Sequence, residues 1–351
     1  MSKLLQKQFI NFHDKIKLND LEHHKELRDK RDLLLSELRA YIDKKYEDKP
    51  DEKKPTFNWF NQGSYDMGTG IIPIDGDYDI DVAVEFNFAK EDFGPVEIKE
   101  LIHEALDKHH KRKVDVMRPC VRVQYYQAGE TIYHVDFAVY SGGSYNKTGK
   151  TYIAKGKIGS KDEYKIWEVS DPKKLKELVN NRFPDTDECS QFKRIIRYMK
   201  RWKDQNFSST GHAAPRGIAL TALAYNLFVP DASKDSFTGE KRADDLEALL
   251  RFVKAILNQF SSWDGNISVK LPVEPYNDLF AKMAESDDYI EDFKSKLKSL
   301  RDKLESAKSN ADPVEACKDL QKVFGEDFPV PPKEETAQKR PPAITKPQEQ
   351  A

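Results

Sequence analysis

Leu21, Leu27, Leu33, Leu34, Leu38 and Ile42 recur at roughly helical spacing, with charged residues between them. That rhythm predicts one or two long amphipathic helices over residues 3–47. A charged connector follows and closes at Pro55. From Phe57 to about Tyr140 strands dominate. Three strands are legible, over 78–86, 121–126 and 132–140, with a helix near 95–109 between the first two. Asp171-Pro172 is a helix start, with Asp171 at the N-cap and Pro172 at the first helical position of a short helix over 173–181. Beyond Pro184 the period becomes helical. Helices are expected over 189–204, 216–228, 242–260, 276–284, 288–306 and 313–324. From Pro329 the chain holds six prolines and almost no large apolar residue, so a disordered tail is expected. The division that follows is 1–185 for N-terminal helices plus a strand-rich core, 186–331 for a helical domain, and 332–351 for the tail. The fold class is α/β (α+β).

Composition narrows the class. The chain has 351 residues, is 34% charged and 38% hydrophobic, and carries a net charge of -2. No apolar run approaches the roughly 20 residues a membrane span needs. The first 18 residues hold no uninterrupted apolar stretch and no small-residue cleavage site, so no leader is expected. Cys120, Cys189 and Cys317 are far apart, which disfavours a disulfide framework or a zinc site and suits a reducing cytoplasm. The basic run from His109 to Lys113 reads as a solvated helix end.

The chemistry concentrates in one stretch, QGSYDMGTGIIPIDGDYDIDVAVEF, from Gln62 to Phe86. On a strand, Asp79 and Asp81 share a face, and Ile80, Val82, Val84 and Phe86 share the other. An isolated Asp-x-Asp is an ordinary pair of surface carboxylates. Preceded by Gly63-Ser64, Thr69 and a glycine-rich turn, it suits two divalent cations and a triphosphate. Asp136, in YHVDFAVY, is a third carboxylate on a neighbouring strand, fit to complete a metal site or accept a proton. His134 shares its face and reads as a hydrogen-bonded sheet histidine, since hard cations prefer carboxylate oxygens. In the helix QFKRIIRYMKRWKDQ, Phe192, Ile195, Met199 and Trp202 form a core stripe. Lys193, Arg197 and Lys200 form a cationic one, with Lys200 the best candidate for a phosphate contact, ahead of Arg197, Lys193 and Lys203. Motifs for a nucleophilic serine, a Walker loop and a dinucleotide fold are absent.

Gln62-Gly63-Ser64, Asp79-x-Asp81 and Asp136 together resemble the DNA polymerase β-like nucleotidyltransferase superfamily. Ile196–Trp202 resembles the helix of the oligoadenylate synthetase branch in which an arginine and a lysine three apart contact nucleotide, here Arg197 and Lys200. Leu271–Met283 and Phe324–Pro332 look like the bacterial cGAS/DncV-like nucleotidyltransferases, especially clade D. The resemblance implies a mixed-sheet nucleotidyltransferase core, an oligoadenylate-synthetase-like helical domain, and Asp79, Asp81 and Asp136 holding two Mg2+ ions, with Mn2+ as a substitute. It implies Gln62, Gly63, Ser64, Arg197 and Lys200 as nucleotide contacts, and ATP, alone or with GTP or another NTP, as substrate. The implied product is a cyclic oligonucleotide, a cyclic trinucleotide in that clade, for anti-phage signalling through an effector that senses the product. Linear oligoadenylate synthesis, RNA tailing, nucleotidylation of a small molecule and an inactive sensor of the same fold are the alternatives. Relatives carry a triphosphate-contacting serine where this chain reads Gly211-His-Ala-Ala-Pro-Arg-Gly217, so backbone N–H groups are expected to substitute there. No cysteine-rich insertion is present, which speaks against activation by double-stranded DNA. The tail ending at Ala351 suits conjugation by an E1/E2-like partner.

Overall fold

The computed structural model describes residues 2–333, apart from 19–21, 50–53, 77, 109–111, 128–129, 209–212, 235–240 and 264. The 332–351 tail, with Ala351, therefore lies almost wholly outside the described residues. So do Gly211 and His212.

Of the one or two helices expected over residues 3–47, the structure has two, α1 (Ser2–Ile16) and α2 (Glu22–Lys45). A seven-stranded mixed sheet follows. Its strands are β1 (Phe57–Asn61), β2 (Tyr78–Phe86), β3 (Arg112–Val116), β4 (Val121–Gln127), β5 (Glu130–Ser141), β6 (Tyr152–Lys155) and β7 (Ile166–Val169). The order is β1-β2-β5-β4-β3, with β6 pairing β5 and β7 pairing β6. Only the β2–β5 pair is parallel; every other pairing in this sheet is antiparallel. The short α3 (Gly63–Asp66) joins β1 toward β2, and α4 (Pro95–Leu106) lies between β2 and β3. On one face of the sheet, Ile80, Val82, Val84, Phe86, Val135, Phe137 and Val139 pack with α2 and α4 into a closed core. Parallel pairing of β2 and β5 thus puts two apolar strand faces under the same helices.

The helical half comprises α5 (Pro172–Asn180), α6 (Thr186–Asn206), α7 (Gly217–Leu227), α8 (Asp245–Leu257), α9 (Asp287–Ser309) and α10 (Pro313–Phe324). A two-stranded hairpin, β8 (Ala232–Lys234) with β9 (Lys241–Ala243), precedes α8. Asp171 caps α5 by accepting from the Lys174 N–H at 2.8 Å, as its sequence predicts. The core of this half includes Leu5, Phe9, Phe12 and Ile16, so α1 packs with the C-terminal helices and not against the sheet.

Two expectations fail. Residues 276–284 are not an α-helix; only Met283–Glu285 forms a short 3-10 turn. The chain there turns back on residues 269–271, with Leu271 N–H donating to Asn277 O at 3.0 Å and Leu279 N–H to Val269 O at 2.9 Å. The Asp278 carboxylate accepts from both Val269 N–H and Phe280 N–H, and Tyr276 stands at φ +57°. Local side-chain capping and non-local pairing have outbid helix propensity. Nor is the basic run a solvated helix end throughout: Arg112 opens β3, is buried, and donates to Glu37 and to Leu106 O.

Candidate active site

The sheet register builds the centre of the site. With the apolar face of β2 buried, Asp79 and Asp81 project from the other face. Asp81 lies beside Asp136 and Asp79 beside His134 on β5. On β4, Arg122 lies beside Asp136 and Gln124 beside His134. One row across three strands therefore reads Asp81, Asp136, Arg122. Arg122 grips Asp136 as a fork, Nε to Oδ1 at 2.8 Å and Nη2 to Oδ2 at 2.7 Å. His134 Nε2 stands 4.0 Å from Asp136 Oδ2.

These carboxylates are crowded and only partly hydrated. Burial pushes Asp81 up to about 7, and repulsion from Asp79 and Asp136 adds to it. Asp79 is raised as well, chiefly by desolvation. Asp79 is open to solvent by surface area yet ringed by protein, and the ring decides the direction of its shift.

The Gly-Ser turn is pressed onto this row. Gly63 stands at φ +68°, and a Cβ there would sit 2.0 Å from Asp81 Oδ2. The Gln62 N–H donates to Asp81 O at 2.9 Å, and the Gln62 amide oxygen accepts from Tyr140 Oη at 2.9 Å. Facing them across a cavity of about 510 Å³ is α6, with Lys200 and Lys203, and the start of α7 at Gly217 and Ile218. Gln62, Gly63, Ser64, Asp79, Asp81 and Lys200 all line this cavity. The positive end of the α7 macrodipole also meets it.

Three cations of α6 hold the loop after the Gly-Ser turn. Arg197 donates to Gly70 O at 3.1 Å and to Gly68 O at 2.5 Å. Lys200 Nζ donates to Thr69 O at 2.9 Å, and Arg201 to Ile72 O at 2.8 Å. Burial lowers Lys200 to about 8, with the negative field of Asp79 opposing that fall. Arg197 also meets His13 Nε2 at 3.1 Å, is not among the cavity-lining residues, and braces the loop that Lys200 touches. His13, driven down to about 4 by burial and then by Arg197, is neutral near pH 7. Asp136 likewise lies behind the lining, in its pair with Arg122.

Carboxylate oxygens turned to a cleft and a glycine that leaves no room beside Asp81 suit hard divalent cations in donor chemistry. Among the described residues, however, no three carboxylate, imidazole or thiol groups stand close enough to cage a cation. The third arm, Asp136, is held by Arg122. Sequence reasoning missed other lining residues. Tyr140 lies on the site face of β5, four residues beyond Asp136, a period-two relation that was available. Leu271 and Val273 come from the segment read as leading into a helix, and Thr221 lies one turn into α7 with its hydroxyl on Gly217 O at 3.1 Å. Among the residues lining the cavity, Thr221 is the hydroxyl nearest in sequence to Gly217.

Residues 57–140 match the family model of the cyclic GMP-AMP synthase DncV-like nucleotidyltransferase domain. A cyclic GMP-AMP synthase of Escherichia albertii is 25% identical over 201 residues, 54% of this chain and 42% of that protein. The alignment thus spans about two fifths of the relative's length. The crystal structure of the Vibrio cholerae DncV cyclic AMP-GMP synthase superposes with a TM-score of 0.69 at 19% identity, covering 90% of this chain and 93% of that one. The same Vibrio cholerae enzyme with a linear intermediate, 5' pppA(3',5')pG, gives 0.67 at 20% identity, covering 90% and 93%.

Proposed function

We propose that the protein, whose residues 57–140 match the DncV-like nucleotidyltransferase family model, joins NTPs into a cyclic oligonucleotide and releases pyrophosphate. The observation that carries this reading is Asp79 and Asp81 facing Lys200 across one cavity, with the Gly63-Ser64 turn pressed on Asp81. Support for a ring comes from the Vibrio cholerae enzyme, whose structure holds a linear two-base intermediate. By this reading the linear product returns to the same cleft for closure.

The triphosphate lies between Lys200, the start of α7 and the Gly-Ser backbone, each of which favours negative charge. Apolar Leu271, Val273 and Ile218 give a base a dry wall. A ribose hydroxyl oxygen of the acceptor bonds to the α-phosphorus. The bond to the bridging oxygen breaks, pyrophosphate leaves with that electron pair, and the hydroxyl proton passes to the open cleft. Asp79, Asp81 and Asp136 would hold two divalent cations, Mg2+ or Mn2+, which supply charge neutralisation for the phosphates and acidify the hydroxyl. Arg197, braced on Gly68 and Gly70, positions the loop. The finer reading, a cyclic trinucleotide serving anti-phage defence in the cytoplasm, rests on the resemblance of 271–283 and 324–332 to clade D relatives.

Incubation with labelled ATP and GTP plus Mg2+ tests it. The expected result is a phosphatase-resistant product whose mass is that of a cyclic di- or trinucleotide. Linear or tailed products alone would overturn the ring, and no turnover would overturn the enzyme.

A further inference from the structure

The Arg122 fork engages both oxygens of the carboxylate that the proposed reaction assigns to metal. The pair joins two neighbouring strands, so its geometry is set by the sheet register and not by chance rotamers. Asp136 is largely shielded, with 11% side-chain exposure, while Arg122 is about one-third exposed at 31%. Charged or titratable groups facing the pair are Asp79 and Asp81 from β2, His134 from β5, Asp115 beside Arg122 on β3 and itself 2.8 Å from Lys113, and the buried Cys120 that leads into β4. A guanidinium here neutralises one of three carboxylates crowded on a sheet face. It also keeps Asp136 from joining the other two.

Resting on the metal-ligand reading of Asp136, we infer that Arg122 is a counter-cation latch: it holds the third ligand until a divalent cation displaces it. Asp136 must surrender at least one oxygen from the fork before it can bind metal. The swap costs a bidentate, charge-assisted pair. Metal affinity of the nucleotide-free protein is therefore lowered, and loading is favoured when an NTP brings further ligands for the same cation. Arg122 acts through Asp136 and is a positioning residue, not a catalytic one.

The test is a binding cycle without nucleotide or turnover. Mn2+ is titrated against full-length wild type, Arg122→Gln, Asp136→Asn and the double variant, with free Mn2+ read by paramagnetic resonance. Arg122→Gln is expected to tighten Mn2+ by about tenfold in the wild-type background. In the Asp136→Asn background the same change is expected to do less than about twofold. Equal tightening in both backgrounds would mean a general field effect and overturn the latch, as would no tightening in either. Mn2+ binding unchanged in Asp136→Asn would instead overturn Asp136 as a ligand, a failure of the earlier reading. Should Arg122→Gln not fold, Arg122→Lys carries the same cycle: it keeps the charge and loses the fork. Its smaller tightening must again vanish with Asp136→Asn.

Discussion

At the residue scale, Gly63 and Asp81 are one unit. Any side chain at 63 meets the Asp81 carboxylate and takes up a strained backbone. Gly63→Ala is expected to cost about 1–3 kcal/mol of stability and to remove turnover, measured by denaturant melts and nucleotide release. Asp79→Ala with Asp81→Ala is expected to cut turnover at least about a thousandfold, with circular dichroism unchanged because both side chains face the cleft. The pH sign follows from Asp81, whose folded value near 7 lies above its ordinary 3.8. Its contribution to stability is full below about 4 and is lost as pH rises through 7. Metal binding needs the ionised form, so the Mn2+-induced rise in Tm should grow from pH 6 to pH 8. A constant rise across that window would contradict the shift.

At the element scale, single cations tie strands and loops together. Lys99, on α4, is fully buried and donates to Met117 O at 3.0 Å, Arg118 O at 3.1 Å and Gly156 O. It joins the β3–β4 turn to the end of β6. Lys99→Met would leave the Met117 and Gly156 carbonyls without the Lys99 donor, Arg118 O keeping the Gly156 N–H at 3.1 Å, and is expected to cost about 2–3 kcal/mol, read as a lower denaturation midpoint at unchanged slope. The α6 cations do the same for residues 68–72. That use of Arg197 was not legible in the sequence. Its spacing from Lys200 marks a cationic stripe, but only the fold shows that the stripe meets backbone carbonyls first.

At the scale of the molecule, the two halves meet along the cleft. The loop at 269–279 lines the cavity and reaches back to the sheet half, with Glu274 pairing Lys150 at 2.6 Å and Asn277 meeting Glu168 at 3.3 Å. On the far side, Asp245 at the start of α8 is wholly buried. It accepts a fork from Arg194, a bond from Gln191 and one from Tyr198, while its N–H donates to Gln6 on α1. Asp245→Asn strands Arg194 in that core and is expected to cost about 3–5 kcal/mol. Because α1, α6 and α8 share the node, thermal unfolding of the variant should shift as one transition. A split into two would contradict that coupling. No helix among the described residues is long and apolar enough to cross a membrane.

Local pattern alone determined a good deal. Period-two alternation put Asp79 and Asp81 on one face and the apolar residues on the other. It did the same for Asp136, and a Gly-Ser turn ahead of them is a short-range signal. Helical spacing gave most of the C-terminal helices, since each buries one stripe. The tertiary structure decided what depends on partners distant in sequence. Register set Asp81 beside Asp136 and Arg122 upon it. Packing sent α1 to the helical half. Asp278, bonding Val269, turned an expected helix into a loop that folds back on the cleft-lining segment of Leu271 and Val273. The physical reason is common to all three: side-chain periodicity reports which face is buried, but not which neighbour buries or binds it.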